Sequence, residues 1–368
     1  MTGNANCAKF ERVRLGTVKE FDDGEMHEAQ VHGGPCYSAI PTYKVEVDGD
    51  SLYAYLPPAP MSDEVEMPRK KISGKDNRVF VICGGGAAAH AAAETLRLEG
   101  FGGRILIFGD EVHLPYYRPH LTKRIETKSY DQVAAEQALR PPLWYRANQV
   151  EYYGGKKVTE VNHDVNTITL EDGSTVKYDK VLVATGSEAV KLPMGRGLGP
   201  LSNLFTLRTA DDLGEVVKHI KPNTRVVLVG ANFIGCEMAS SLTNKKAKVT
   251  VVTDMEVPMN NIVGTRGGAA LKSLLEKNGV TVITGSPVKS YNAKGGRVTQ
   301  VVTAKGVVDA DVVIEGVGAR VTVNLLKCAQ KNRDGTVTVD ASMRCKGCPD
   351  NVFAAGDIVT YPYHLDGT

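Results

Sequence analysis

The sequence predicts an α/β fold of two units with parallel sheets behind a small β region, and three observations point to it. The runs Val79-Phe-Val-Ile-Cys83 and Val226-Val-Leu-Val229 are continuously apolar, as strands buried on both faces of a parallel sheet must be. Each run enters a glycine turn and then a helical stretch, and the two turns lie about 146 positions apart, too far for a solenoid period. Glycine numbers 38 in 368 residues, roughly a tenth against a usual ~7%. No collagen-like period accompanies the surplus, so these glycines answer particular backbone sites.

Composition sets the outer bounds. At ~150 residues per domain the length suggests two to three domains, enough for a core without staples or metals. Lys+Arg 44 against Asp+Glu 42 leaves a net charge of +2, which gives no electrostatic case for a nucleic-acid partner. Seven cysteines, scattered and odd in number, do not resemble a secreted disulfide framework. The start MTGNANCAKFERVR has no apolar stretch for a secretory signal, and the most apolar run, Val79 to Ala93, is too short to span a bilayer. The expectation is an intracellular protein without a membrane span, cytoplasmic or mitochondrial, with oligomeric state left open.

In chain order, residues 1–58 carry alternating stretches, Tyr43-Lys-Val-Glu-Val47 and Ser51-Leu-Tyr-Ala-Tyr55, about Asp48-Gly49-Asp50, which predicts a β-hairpin. Residues 59–76 are Pro-rich and charged without periodicity, a linker by composition. From 77 onward come the strand at Val79, a helix through Leu98, a strand at Arg104–Phe108, a hairpin over 167–178 and a strand at Val181–Ala184. The programme then repeats, with a strand from Val226, a helix over 234–244, a strand at Lys248–Val252 and a helix over 268–277. Val312-Val-Ile314 leads into Gly316-Val-Gly318, and a last strand is expected at Val352.

The first turn, Gly84-Gly-Gly86-Ala-Ala-Ala89, is a G-x-G-x-x-A between strand and helix. Gly84 permits the turn, Gly86 admits a pyrophosphate to the backbone, and Ala89 lets helix and strand pack closely. The helix N-terminus offers free N–H groups to the phosphates, and Asp110 or Glu111, after the second strand, is placed for a ribose hydroxyl. The second turn, Gly230-Ala-Asn232-Phe-Ile-Gly235-Cys-Glu237, has Asn232 at the middle glycine. Thr253 then Asp254 stand at the ribose-acid position, with no Arg from 253 to 257 to suit a 2′-phosphate. The expectation there is a weakened nicotinamide nucleotide site, with a folded but ligand-poor unit as the alternative. Two such turns imply two dinucleotides, most simply FAD and NAD(P)H.

From about Asn77 to Tyr361 the chain resembles the FAD-dependent pyridine nucleotide oxidoreductases, in their apoptosis-inducing factor 3-like branch beside the ferredoxin reductases. The matching segments are Cys83–Ala89 with Ala93-Glu-Thr-Leu-Arg97, Leu114–Lys123, Ala184-Thr-Gly186, Leu207-Arg-Thr209, Phe233–Glu237, Gly316–Ala319 and Phe353-Ala-Ala-Gly-Asp357. The resemblance implies two Rossmann-like, three-layer domains, one for FAD in two parts (77–208 and 321–368) and one for NAD(P) (209–320). It implies that Gly84, Gly86, Ala88 and Asp110 hold the adenosine end of FAD, with Val158 at the adenine. Thr185, Gly186 and Arg208 would line the diphosphate path with Arg118 nearby, and Asp357 would bind the ribityl chain. Gly230, Gly235 and Gly318 would serve the nicotinamide nucleotide. Lys123 and Glu237 would form the catalytic charge pair beside the flavin ring, steadying its reduced form and orienting the nicotinamide.

The implied activity is an NAD(P)H-dependent flavoprotein oxidoreductase that passes electrons to an unidentified acceptor. Its alternative is a flavin-binding or catalytically impaired truncated form with a binding or cell-death signalling role. Residues 110–130 contain no Cys for a disulfide-reductase pair, and Cys345-Lys-Gly-Cys348 reads as two loop thiols with no metal partners. The N-terminal region resembles the two ends of a Rieske domain. His32-Gly-Gly-Pro-Cys36 stands where two Cys-His ligand pairs belong, so no iron–sulfur cluster is expected. The resemblance implies a helix after Asp357 that packs over the flavin; the ~10 residues there are too few for such a helix to be stable without packing, so the expectation is a more exposed flavin.

Overall fold

The computed structural model describes residues 11–17, 45–48, 51–56, 76–123, 125 and 134–362. The chain divides into two compact units, Met1–Pro68 and Arg69–Thr368. In the first, Val45–Asp48 and Ser51–Leu56 pair antiparallel with Asp48 opposite Ser51, the hairpin expected about Gly49-Asp50. Glu11–Thr17 adds a third antiparallel strand on the other side of Ser51–Leu56. The expectations about His32, Cys36, the linker before Asp76 and the segment after Pro362 lie outside the described residues.

The second unit is built on two five-stranded sheets, every strand parallel to its neighbours. One runs Val352–Ala354, Lys180–Val183, Val79–Cys83, Arg104–Phe108, Val150–Tyr153. The other runs Leu204–Thr206, Val312–Glu315, Arg225–Val229, Lys248–Val252, Thr281–Ile283. In both, the strand that enters a glycine turn is central. The next strand in sequence lies on one side and a distant one on the other, so each turn opens at the point where strand order reverses. Ligands of open α/β sheets bind there.

The unbroken apolar runs follow from covering on both faces. Val81 and Cys83 face one core with Leu106 and Phe108, whereas Ile82 faces the opposite one with Ile105, Ile107 and helix residues Ala89 and Ala93. The second sheet divides likewise, with Val226, Leu228, Val312 and Ile314 on one face and Val227, Val229 and Val313 on the other. Each residue faces a packed layer, so none of these positions can be polar without a buried partner. The helix expected from Gly268 begins eight residues earlier, at Asn260, and bends at Gly264, whose φ is 70°. Glycine spacing in the sequence hid the first turn.

Helix Ala87–Leu98 buries a polar cluster beneath its outer layer. His90 Nδ1 lies 3.1 Å from the Tyr145 hydroxyl, and Nε2 lies 3.8 Å from Glu94, which pairs with Arg140 at 2.9 Å. Burial, with Arg140 adding to it, pushes the His90 pKa from the ordinary 6.5 down to about 4. The unfolded chain therefore binds a proton that the folded chain refuses between those values, and stability falls as pH drops from about 6.5 toward 4. Denaturant unfolding at pH 7 and pH 4.5 should differ by about 2.5 kcal/mol from this group alone. A His90→Gln chain should show a profile flatter by that amount, and an equal slope in both chains would contradict the assignment.

Candidate functional site

The two glycine turns have the same construction. Gly84, at φ +129°, passes so close to the neighbouring strand that an added Cβ would stand 2.1 Å from the Ala184 carbonyl oxygen. Gly230, at φ +104°, makes the same crossing 2.4 Å from the Gly316 carbonyl oxygen. The crossings are stitched alike: Gly84 N–H donates to Phe108 and Gly230 N–H to Val252, while Ala184 and Gly316 donate back to Cys83 and Val229, all at 2.7–2.8 Å. Gly235 cannot carry a side chain, because its Cβ would stand 2.0 Å from the Gly230 carbonyl oxygen. The first turn is looser at that position and accepts Ala89, fully buried.

The turns differ at the middle residue. Gly86 and Asn232 have almost the same extended backbone, φ/ψ −99°/−170° and −87°/−166°, which any residue adopts, and each begins a helix with no side-chain cap. The choice of residue there is therefore a matter of space. A Cβ on Gly86 would meet nothing within 4 Å, so the helix N-terminus is left open for an anion. In the second turn that place holds the Asn232 amide, whose Oδ1 is buried without a partner. The first cradle fits a dinucleotide pyrophosphate; the second is narrowed by its own side chain.

Of the two acids after Phe108, Asp110 is open. It is mostly exposed and pairs with Lys157 at 3.1 Å, which brings it beside Val158 at the start of strand Val158–Asn162. Glu111 is held by Arg118 at 2.5 Å and by the Tyr116 hydroxyl at 2.6 Å, and Arg118 also donates to the Arg208 carbonyl at 3.0 Å. After the corresponding strand of the other sheet, Thr253 is buried and its Oγ1 accepts the Met255 N–H at 3.2 Å, so of Thr253 and Asp254 it is Asp254 that is exposed.

A second group meets beside the first turn. Arg208 and the Ser187 hydroxyl both donate to Asp357 Oδ2, at 2.9 and 2.7 Å, and Arg208 Nε reaches the Ser187 carbonyl at 3.0 Å. Arg208 is placed by the capped helix that follows it, since Asp212 accepts its N–H at 2.8 Å and that of Thr209 at 2.9 Å. Asp357 follows Gly356, whose added Cβ would lie 3.2 Å from Ala88, so this strand end packs on the first turn of helix Ala87–Leu98. Thr185 Oγ1 donates to the Thr322 carbonyl, and the Gly186 carbonyl accepts the Thr322 N–H at 2.9 Å. Gly318, at φ +115°, accepts the Val190 N–H at 3.0 Å.

Lys123 and Glu237 meet across the sequence, Nζ to Oε2 at 2.7 Å, with side chains 47% and 31% exposed. The short helical turn Arg118–His120 delivers Lys123, whose Nζ also reaches the Pro119 carbonyl at 3.0 Å. The Thr122 hydroxyl donates to the same Glu237 oxygen, and Ser241 donates to the Thr122 carbonyl at 2.6 Å, so the segment is tied to helix Phe233–Asn244. An ion pair this exposed contributes at most ~1 kcal/mol, so stability does not explain it. Thr122 and Ser187 were not singled out from the sequence, and their only signal is adjacency to residues that were; Glu111 was named there as the alternative ribose acid, and the structure locks it to Arg118 and Tyr116 instead.

One expectation is corrected. Cys345 and Cys348 are not two loop thiols: Cys348 is disulfide-bonded to Cys328, and Cys345 is a buried free thiol. Three residues of separation in a turn brought them close in sequence, yet the fold turns Cys348 toward a segment 20 residues away. Among the described residues no group of His, Cys, Asp and Glu could hold a metal ion, and no helix is long and apolar enough to cross a membrane.

A parallel-sheet pair with twin glycine turns and a charged seam between them defines a dinucleotide-binding oxidoreductase architecture. Residues 78–366 match the family described as pyridine nucleotide-disulphide oxidoreductase, and the chain belongs to that family. It is 35% identical over 283 residues to apoptosis-inducing factor 3 of Homo sapiens, 77% of this chain and 46% of that one. It is 34% identical over 293 residues to the ferredoxin–NAD(+) reductase subunit of a benzene 1,2-dioxygenase system of Pseudomonas putida, 79% of this chain and 69% of that one. A solved covalent putidaredoxin reductase–putidaredoxin complex superposes with a TM-score of 0.72 at 26% identity, over 79% of this chain and 70% of that one. The chain thus spans about half the length of apoptosis-inducing factor 3.

The glycine geometry makes a paired prediction. In the chain without added nucleotide, Gly84→Ala should cost more than about 3 kcal/mol, because its Cβ meets backbone. Gly86→Ala should stay within about 1 kcal/mol, since its φ is ordinary and its Cβ enters open space. Denaturant unfolding of the two variants checks both, and equal losses would refute the distinction.

Proposed function

We propose that this chain is an FAD-dependent oxidoreductase that draws hydride from NAD(P)H and passes electrons to a ferredoxin-type acceptor. Residues 77–208 with 321–368 would hold FAD, and residues 209–320 the nicotinamide nucleotide. The observation that supports this most is the open helix N-terminus at Gly86, with Gly356 packed against Ala88 and the following Asp357 paired with Arg208. FAD supplies a ring that accepts two electrons as hydride and can release them singly. Gly84 and Gly86 would admit its pyrophosphate, Asp110 would take the adenosine ribose with Val158 at the adenine, and Arg118, Thr185, Gly186 and Arg208 would line the diphosphate path. Asp357, freed from Arg208, would accept from the ribityl hydroxyls. Lys123, held by Glu237 and Thr122, would keep a positive charge beside the ring, where negative charge develops on reduction. Gly230, Gly235 and Gly318 would shape the donor side. The ferredoxin-type acceptor follows from the reductase relatives.

One observation favours a second reading, a flavoprotein slow with its donor: the Asn232 amide fills the place that Gly86 leaves open in the first turn. Both readings are tested by the absorption spectrum of the chain folded with FAD, followed by anaerobic mixing with NADH. Visible flavin bands are expected, and their absence overturns the function. Bleaching should be slow and should accelerate about tenfold or more in Asn232→Gly, the worth of relieving a pyrophosphate–amide conflict of ~1.4 kcal/mol. No gain would remove the second reading.

Lys123→Ala separates chemistry from structure. Flavin reduction should slow about a hundredfold, a loss typical of one electrostatic group in a site, while unfolding free energy changes by less than about 1 kcal/mol. Stopped-flow reduction beside a denaturant melt reads both, and parallel losses would assign Lys123 a structural role.

A further inference from the structure

The disulfide between Cys328 and Cys348 has a histidine in contact. His163 Nε2 lies 3.1 Å from Cys328 Sγ, and its Nδ1 is buried without a partner. A disulfide sulfur carries no proton, so the ring must donate through Nε2–H, which leaves Nδ1 as the bare nitrogen. Both cysteines and His163 are half-buried, open enough for a small thiol to reach. Lys327 and Asp164 are the charged neighbours that bear on the ring; Lys327 is paired with Glu160 at 2.6 Å. The remaining described cysteines contrast with this pair. Cys83, Cys236 and Cys345 are buried, and burial pushes their thiols up to about 12, 11 and 11. They are inert where the bonded pair is accessible.

We infer that Cys328–Cys348 is a thiol–disulfide exchange site, opened by a dithiol reductant, in which His163 positions and stabilises the departing Cys328 sulfur. Cys348 is the sulfur presented for attack. It closes the turn Cys345-Lys346-Gly347-Cys348, with Lys346, Gly347 and Pro349 all exposed; Gly347 adopts φ +84°, and a Cβ there would stand 3.2 Å from the Cys328 carbonyl oxygen. The reductant's thiolate bonds to Cys348 Sγ, the Cys348–Cys328 bond breaks, and its electron pair leaves on Cys328 Sγ. His163 Nε2–H holds that thiolate until water protonates it. The reductant's second thiolate then attacks its own sulfur in the mixed disulfide and releases Cys348, which also takes a proton from water. Two electrons pass, the protein disulfide is reduced, and the dithiol becomes a cyclic disulfide. A sulfur whose thiolate is stabilised leaves faster, which assigns the departing role to Cys328. The inference stands apart from the flavin reading, since no residue of that site takes part.

The test uses the full chain purified without reductant, alkylated in the folded state and mapped by peptide mass. Cys328 and Cys348 should be unlabelled before dithiothreitol and both labelled after it, with Cys83, Cys236 and Cys345 silent throughout. Labelling of the pair in the chain as isolated overturns the site. His163→Ala should slow reduction about tenfold, the worth of one hydrogen bond to a charged group, and His163→Gln, which keeps an N–H, should recover part of the rate. Unchanged rates in folded variants overturn the role of His163. Should the variants fail to fold, the unaltered chain still decides: glutathione, quenched early, should be found on Cys348 with Cys328 free. Glutathione on Cys328 overturns the assignment.

Discussion

Two backbone crossings organise the folded unit. Where Gly84 passes Ala184, and where Gly230 passes Gly316, main chain approaches main chain so closely that no Cβ fits between them. Each crossing sits at the carboxyl end of a central strand and launches a helix, so it sets both the sheet order around it and the opening in which a ligand can lie. The hydrogen bonds on either side are matched in partner and length. A side chain at either position would separate the central strand from its neighbour and close the opening with it.

The same geometry accounts for a difference between the halves. Backbone conformation does not ask for glycine at the middle of either turn, because Gly86 and Asn232 have ordinary extended dihedrals. The first turn keeps that volume empty and the second fills it with an amide, so two turns of one construction differ in what they can admit. Around the first, charged groups from distant segments converge: Arg208 with Asp357, whose neighbour Gly356 packs on Ala88, and Lys123 with Glu237 on the seam to the second sheet. These pairs are exposed enough to exchange partners.

Much of the fold was legible in the sequence, and for local reasons. Continuous apolar runs announced strands covered on both faces, and the helix after each glycine turn followed from its position. The sequence places the start of this helix at Gly268 rather than Asn260 because Gly264 and Gly267 look like breaks, although only Gly264 departs from helical dihedrals. In the candidate site, Lys123, Glu237, Arg208 and Asp357 are legible through motif resemblance, and so is the pairing of Lys123 with Glu237; the meeting of Arg208 with Asp357 is not. Glu111 illustrates the limit. It stands next to Asp110 with the same chemistry, and only the positions of Arg118 and Tyr116 show that one acid is locked while the other is open.

The sequence by itself determined the α/β class, the repetition of the strand–turn–helix unit and the glycines it requires, because periodicity and backbone sterics act over a few residues. Tertiary structure alone decided which groups meet across the chain. Arg208 finds Asp357 at a separation of 149 residues and Thr122 finds Glu237 at 115, distances over which spacing carries no information. It also decided that Cys348 bonds to Cys328 rather than standing free beside Cys345, since a sulfur's partner depends on where its Cβ points, and that direction is set by packing.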